Sequence, residues 1–160
     1  MRKREIAALL LMLAADRGTK WLAPRLPAEG MELIPGVLGL RYAENRGMAF
    51  SLFSGHPLVL GLFSLAAALV MAWVLWKKPL DRLSRAGLLL MLGGAAGNLP
   101  DRLFLGYVTD WIEFLFVQFA IFNLADTCLT VGCGLLIVSL LRPEKPRGGE
   151  PPAADPAGQG

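Results

Sequence analysis

The chain of 160 residues is short of the side chains on which much catalysis depends, with one histidine, His56, and two cysteines, Cys128 and Cys133. His56 has no second histidine or cysteine near it, and no His-Glu-x-x-His pattern occurs, so no zinc-type ligand set can be assembled; no metal and no cofactor are expected. A serine or cysteine nucleophile needs a neighbouring base, and the single histidine has only Ser54 close by, outside the apolar segments, which disfavours covalent catalysis. Cys128 and Cys133 lie in one apolar run and face different directions on a helix, so they read as small packing residues rather than a disulfide.

Charge is scarce too. Only 18% of residues are charged against 54% hydrophobic, and the mean hydropathy is +0.50. A soluble chain of this length lacks the interior to hide that much apolar surface, so the expected solvent is lipid. The net charge is +3, but the bases sit at the chain start and in one short loop, a distribution that sets membrane orientation and gives no nucleic-acid face.

Four apolar runs follow, over residues 6–23, 57–76, 86–99 and 117–141. The first imitates a secretory signal, yet Asp16, Arg17 and Lys20 interrupt it and no small-residue cleavage site ends it, so it reads as an uncleaved membrane helix. The second matches the hydrocarbon thickness. The third reaches spanning length if it continues through PDRLFL (100–105). Its Gly93, Gly94, Ala95, Ala96 and Gly97 admit a close neighbour, and Pro100 is expected to disturb the helix near Ala96 by a bend or an end. The fourth is long enough to span with tilt.

The predicted fold class is thus an all-α polytopic membrane protein of four transmembrane helices over residues 1–141, with a small β-containing extracytoplasmic loop region. The β element is placed in MELIPGVLGLRYAEN (31–45), while 101–118 reads as an acidic and aromatic interfacial loop. The Pro- and Gly-rich residues 142–160 read as a disordered cytoplasmic tail. Arg2, Lys3 and Arg4, then Lys77, Lys78, Arg82 and Arg85, then Arg142, Lys145 and Arg147 fall on one side, which puts both termini in the cytoplasm.

With that orientation the intramembrane polar groups converge. Asp16 and Lys20 in the first run, Asn98, Asp101 and Arg102 ending the third, and Asn123 and Asp126 in the first half of the fourth all lie in the outer half of the membrane. A charge at membrane depth costs about 2.5 to 3.5 kcal/mol, so these groups are expected to face one another or a water-filled cavity. Asp16 with Lys20, Asn98 with Arg102, and Asn123 with Asp126 each share a helix face by spacing. Any one such pair also fits a structural ion pair or an interhelical hydrogen bond. Several carboxylates on one side of a small bundle point instead to acid–base chemistry, in which Asp126 needs a partner among Asp101, Asp110 and Glu113. The alternative is a small ion-coupled membrane transporter, although the polar groups are neither spread across the membrane nor repeated in two halves.

The blocks DRGTK (16–20), NRGMAFSLF (45–53), GGAAGNLPDRLFLGYVTDWIEF (93–114) and FNLADTCLTVG (122–132) resemble, in order and at similar spacing, the motifs of the lipoprotein signal peptidase family, or signal peptidase II. The GN-x-x-DR and FN-x-AD blocks carry most of the specificity; Pro100 and Thr109 depart from residues usual in the family. The resemblance implies an aspartic endopeptidase of the bacterial inner membrane that cleaves diacylglyceryl-modified prolipoproteins before the lipidated cysteine, with its active site near the outer face. It implies Asp110 and Asp126 as the catalytic pair, with Asp101 as the alternative to Asp110. It also implies that Asp16, Lys20, Asn45, Gly47, Asn98, Arg102 and Asn123 orient the site or bind substrate. The expected partners are the prolipoprotein and membrane lipid, with the chain acting as a monomer and residues 45–53 covering the cleft.

Overall fold

The structure, a computed structural model, describes residues 1–47, 56–117 and 120–142. The tail expected beyond Arg142 and most of the 45–53 cover lie outside the described residues. Among the described residues there are four α-helices, α1 (Lys3–Leu22), α2 (Pro57–Lys77), α3 (Arg82–Pro100) and α4 (Leu124–Leu140). Three strands, β1 (Met31–Ile34), β2 (Leu38–Asn45) and β3 (Val108–Phe114), make one antiparallel sheet in that order.

Helix α3 is the centre of the bundle, and α1, α2 and α4 each pack against it. Its small residues decide how closely. A Cβ on Gly132 would stand 2.6 Å from the Gly87 carbonyl oxygen, and one on Gly94 would strike the carbonyl of Ala125. Helices α3 and α4 therefore pass backbone against backbone, as the glycines of the third run lead one to expect. On the other side Ala68, Met71 and Leu75 of α2 close with Leu92 and Ala95 of α3 into the apolar core.

The outside of the bundle is apolar as well. Leu10 and Leu11 of α1, Leu62, Phe63 and Val70 of α2, and Ile137 and Val138 of α4 are exposed. A helix that is hydrophobic all round suits a nonpolar surrounding. Among the described residues Pro57–Lys77 is long and apolar enough to cross a membrane, with 21 residues and a mean hydropathy of 2.5, while Leu124–Leu140 is apolar but shorter.

Three local outcomes differ from the sequence reading. Helix α3 runs undisturbed through Ala96 and changes only after Pro100, where Asp101–Leu105 widen into a π turn closed by Gly106 N–H on the Asp101 carbonyl at 3.0 Å. The Asp101 N–H bonds back to the Asn98 carbonyl, which leaves the Gly97 carbonyl free for side chains of α1. Residues 108–114, read as interfacial loop, form β3, because Val, Thr, Trp, Ile and Phe at these positions suit a half-buried pleated surface and β2 is there to pair with. Finally, α4 starts at Leu124 and not near residue 117, so Asn123 stands before the helix rather than within it.

Candidate active site

The start of α4 organises the site. Asn123 has extended backbone, with φ −131° and ψ −178°, and its Oδ1 accepts the Asp126 N–H at 2.8 Å. In return Asp126 Oδ2 accepts the Asn123 N–H at 3.3 Å. This reciprocal cap satisfies donors that a helix N-terminus otherwise leaves open, and it gives the Asn-x-x-Asp spacing a local cause. Another such donor, the Ala125 N–H, goes to Asp16 Oδ1 at 3.0 Å, so α1 also holds the start of α4.

With Oδ1 used in the cap, Asn123 Nδ2 points the other way. It donates to Asp110 Oδ1 at 2.7 Å and to Asn98 Oδ1 at 3.1 Å, and the residue is wholly buried. Asp110 comes from the middle of β3, opposite Ala43 of β2, and is 1% exposed. Its second oxygen accepts Asn45 Nδ2 at 3.0 Å, from the last residue of β2. Asn45 Oδ1 in turn accepts the Gly47 N–H at 3.0 Å, and the Gly47 carbonyl accepts Arg102 Nη1 at 3.3 Å. Asp126 Oδ1 accepts Asn98 Nδ2 at 2.7 Å. One asparagine thus bridges carboxylates from a strand and a helix, and a further asparagine backs each of them.

Burial, and then the charge of Asp126, push the Asp110 carboxyl up to about 7, against the opposing pull of the Asn45 and Asn123 amides and of Lys20. Asp126 opens onto a cleft of about 740 Å³ between α2, α3 and α4. Phe63, Val70, Met91 and Leu129 make its apolar walls, and Asn98, Arg102 and Asp126 supply its polar groups.

Behind the carboxylates lies a buried ion cluster. Lys20 Nζ sits 2.8 Å from Asp16 Oδ2 and 3.1 Å from Asp101 Oδ2, and it donates to Asn98 Oδ1 at 2.7 Å and to the Gly97 carbonyl at 3.2 Å. Arg17 adds a 2.7 Å bond to Asp101 Oδ1, whose partner oxygen also receives the Thr109 N–H at 3.5 Å. Asp101 is therefore committed to two cations. Glu113, another candidate partner of Asp126, lies on a different face in a two-bond pair with Arg41, at 2.9 and 2.6 Å. The expected pairing of Asn98 with Arg102 gives way: the π turn after Pro100 breaks the four-residue stacking, so Asn98 serves Asp126 and Lys20 while Arg102 reaches Gly47.

Residues 8–142 match the family described as Signal peptidase (SPase) II. The chain belongs to the signal peptidase II family. It is similar to the lipoprotein signal peptidase of Lactobacillus gasseri, 42% identical over 82% of this chain and 88% of that one. It is also similar to that of Streptococcus pneumoniae, 36% identical over 90% of this chain and 97% of that one. A solved bacterial membrane enzyme, determined by the in meso method at 2.3 Å resolution, superposes with a TM-score of 0.80 at 26% identity, covering 86% of this chain and 87% of that one. Membership in the signal peptidase II family makes the chain a protease of lipoprotein processing and a membrane enzyme.

Within this signal peptidase II fold the nine residues singled out by sequence form one connected set: Asp16, Lys20, Asn45, Gly47, Asn98, Arg102, Asp110, Asn123 and Asp126. Sequence reasoning gave Arg17 no role, although its guanidinium holds the buried Asp101. Its position four residues before Trp21, in a run where every charge is costly, was the available signal.

Proposed function

We propose that this protein is an aspartic endopeptidase of the bacterial inner membrane that removes the signal peptide from diacylglyceryl-modified prolipoproteins, cutting before the lipidated cysteine. The observation that carries this reading is the shared asparagine: the Asn123 side chain holds Asp110 while its backbone holds Asp126. Two carboxylates so placed cannot both ionise cheaply, so the pair holds one proton near neutral pH and titrates as a unit. The ionised member takes a proton from water, and that water attacks the scissile carbonyl. The protonated member donates to the developing oxyanion, and a proton passes to the departing amine as the C–N bond breaks. Asp101 takes no part in proton transfer, because Arg17 and Lys20 occupy its oxygens and hold them away from the pair.

The apolar outer surface supports a reading in which all four helices cross the bilayer, α3 gaining length from its π turn. The distribution of Lys and Arg puts both termini in the cytoplasm and the carboxylate pair near the outer face, where water has access. The signal segment enters the cleft sideways from lipid, with its acyl chains left in the bilayer. Arg102 lines the cleft, and in this reading its guanidinium meets a substrate carbonyl. One copy supplies both carboxylates, so the proposed chemistry needs no residue from a second chain.

The test is incubation of the purified protein with a prolipoprotein bearing diacylglycerol on its cysteine, beside the unmodified precursor. Release of a product whose first residue is the lipidated cysteine is expected from the modified substrate alone. Cleavage at another bond, or equal cleavage of both substrates, would refute the substrate assignment.

A further inference from the structure

Helices α1 and α2 both lean on α3, and an open groove of about 440 Å³ remains between them on a face away from the cleft. Met1, Ile6, Leu69, Ala72, Trp73 and Trp76 line it. The two indoles are largely uncovered, at 53% and 71% exposure. Each carries an ammonium group: Lys77 Nζ stands 4.6 Å from the Trp76 ring centre, and Lys78 Nζ stands 5.6 Å from that of Trp73. An apolar channel thus ends at two cations held beside its own wall.

The acids at this end of the bundle do not neutralise those cations. Glu5 is taken by two hydrogen bonds from Arg85. Asp81 caps α3 through the N–H groups of Leu83 and Ser84, at 2.8 and 3.1 Å, and accepts from Ser139. Among the described residues neither Lys77 nor Lys78 has a carboxylate partner. Arg2, Lys3 and Arg4 at the start of α1 add positive charge on the other side of the groove.

We infer that this groove binds one anionic phospholipid of the cytoplasmic leaflet, with an acyl chain along Ile6, Leu69 and Ala72 and its phosphate between Lys77 and Lys78. Indole rings suit the headgroup boundary, and basic pockets between spanning helices on the cytoplasmic side select acidic headgroups. The inference rests on the orientation proposed above. It concerns a surface that the peptide-cleaving site does not use.

The experiment is native mass spectrometry of the full chain, purified in mild detergent and mixed with equal amounts of phosphatidylglycerol and phosphatidylcholine of matched acyl chains. One phosphatidylglycerol per chain is expected, retained about tenfold over phosphatidylcholine. In the Lys77→Gln/Lys78→Gln variant the preference should fall to near parity while prolipoprotein cleavage stays at the wild-type rate. Ala72→Phe, which narrows the groove and leaves the charges, should lose the bound lipid. Equal retention of both lipids by the wild type, or an unchanged preference in the double variant, would overturn the site. In the wild type, absence of any preference with normal cleavage counts against the lipid site alone, and a preference without any cleavage counts against the peptidase reading alone.

Discussion

Asn123 Nδ2 lies 2.7 Å from Asp110 Oδ1, while the Oδ1 of the same amide lies 2.8 Å from the Asp126 N–H. One side chain therefore caps a helix with its oxygen and fixes a carboxylate on a strand with its nitrogen. The two functions separate by substitution. Asn123→Ser keeps a capping oxygen and loses the bonds to Asp110 and Asn98, so stability should fall by about 1 to 3 kcal/mol while turnover falls by roughly 10²-fold. Thermal melting and the cleavage rate, measured on the same preparation, check both halves.

The Asp110 carboxyl, raised to about 7 by burial and by the neighbouring Asp126, gives stability a definite pH dependence. In the unfolded chain it titrates near 3.8, so between about pH 4 and 7 the folded state holds the extra proton. Stability should fall as pH rises through that window and level off above it, and the fall should be smaller in Asp110→Asn. Melting in detergent across the window reads this directly.

Lys20 is buried at 4% exposure and touches Asp16, Asp101 and Asn98. Lys20→Met leaves two buried carboxylates short of a cation, and a loss of about 3 to 5 kcal/mol is expected. Lys20→Arg should not restore it, since a planar fork does not fit a space built around a point charge. Denaturation midpoints of the three proteins decide the matter.

Gly132→Ala should destabilise the bundle by about 1 to 3 kcal/mol, because its Cβ would stand 2.6 Å from the Gly87 carbonyl and force α3 from α4. Gly134→Ala, two residues further along, meets nothing within 4 Å and should be neutral or slightly stabilising. A difference in melting between the two variants is the check.

Much of this arrangement was readable in the chain because local rules and membrane cost agreed. Asp16, Lys20, Asn98 and Asp126 stood out as polar groups in apolar runs, and lipid leaves such groups few choices but to meet. The small residues around Gly94 announced the contact with α4. The start of α4 was missed because residues 117–122 are as apolar as the helix that follows, so hydropathy alone has no edge there; the Asn-x-x-Asp cap marks it. Strand β3 was missed because Asp110 and Glu113 made its polarity look like that of a loop, and its partner β2 lies some seventy residues earlier in the chain, beyond the reach of local pattern. The catalytic role proposed for Asp110 rests on that strand, because the sheet carries its buried carboxyl to the Asn123 side chain at the start of α4.

The most direct measurement is the single-turnover cleavage of diacylglyceryl-modified prolipoprotein by Asp110→Asn, Asp126→Asn and Asp101→Asn, each first shown to be folded by its melting transition. Asp110→Asn and Asp126→Asn should each lose activity by at least about 10⁴-fold, and folded Asp101→Asn should retain a measurable rate. Wild-type cleavage by a folded Asp110→Asn or Asp126→Asn protein would contradict the paired-carboxylate mechanism.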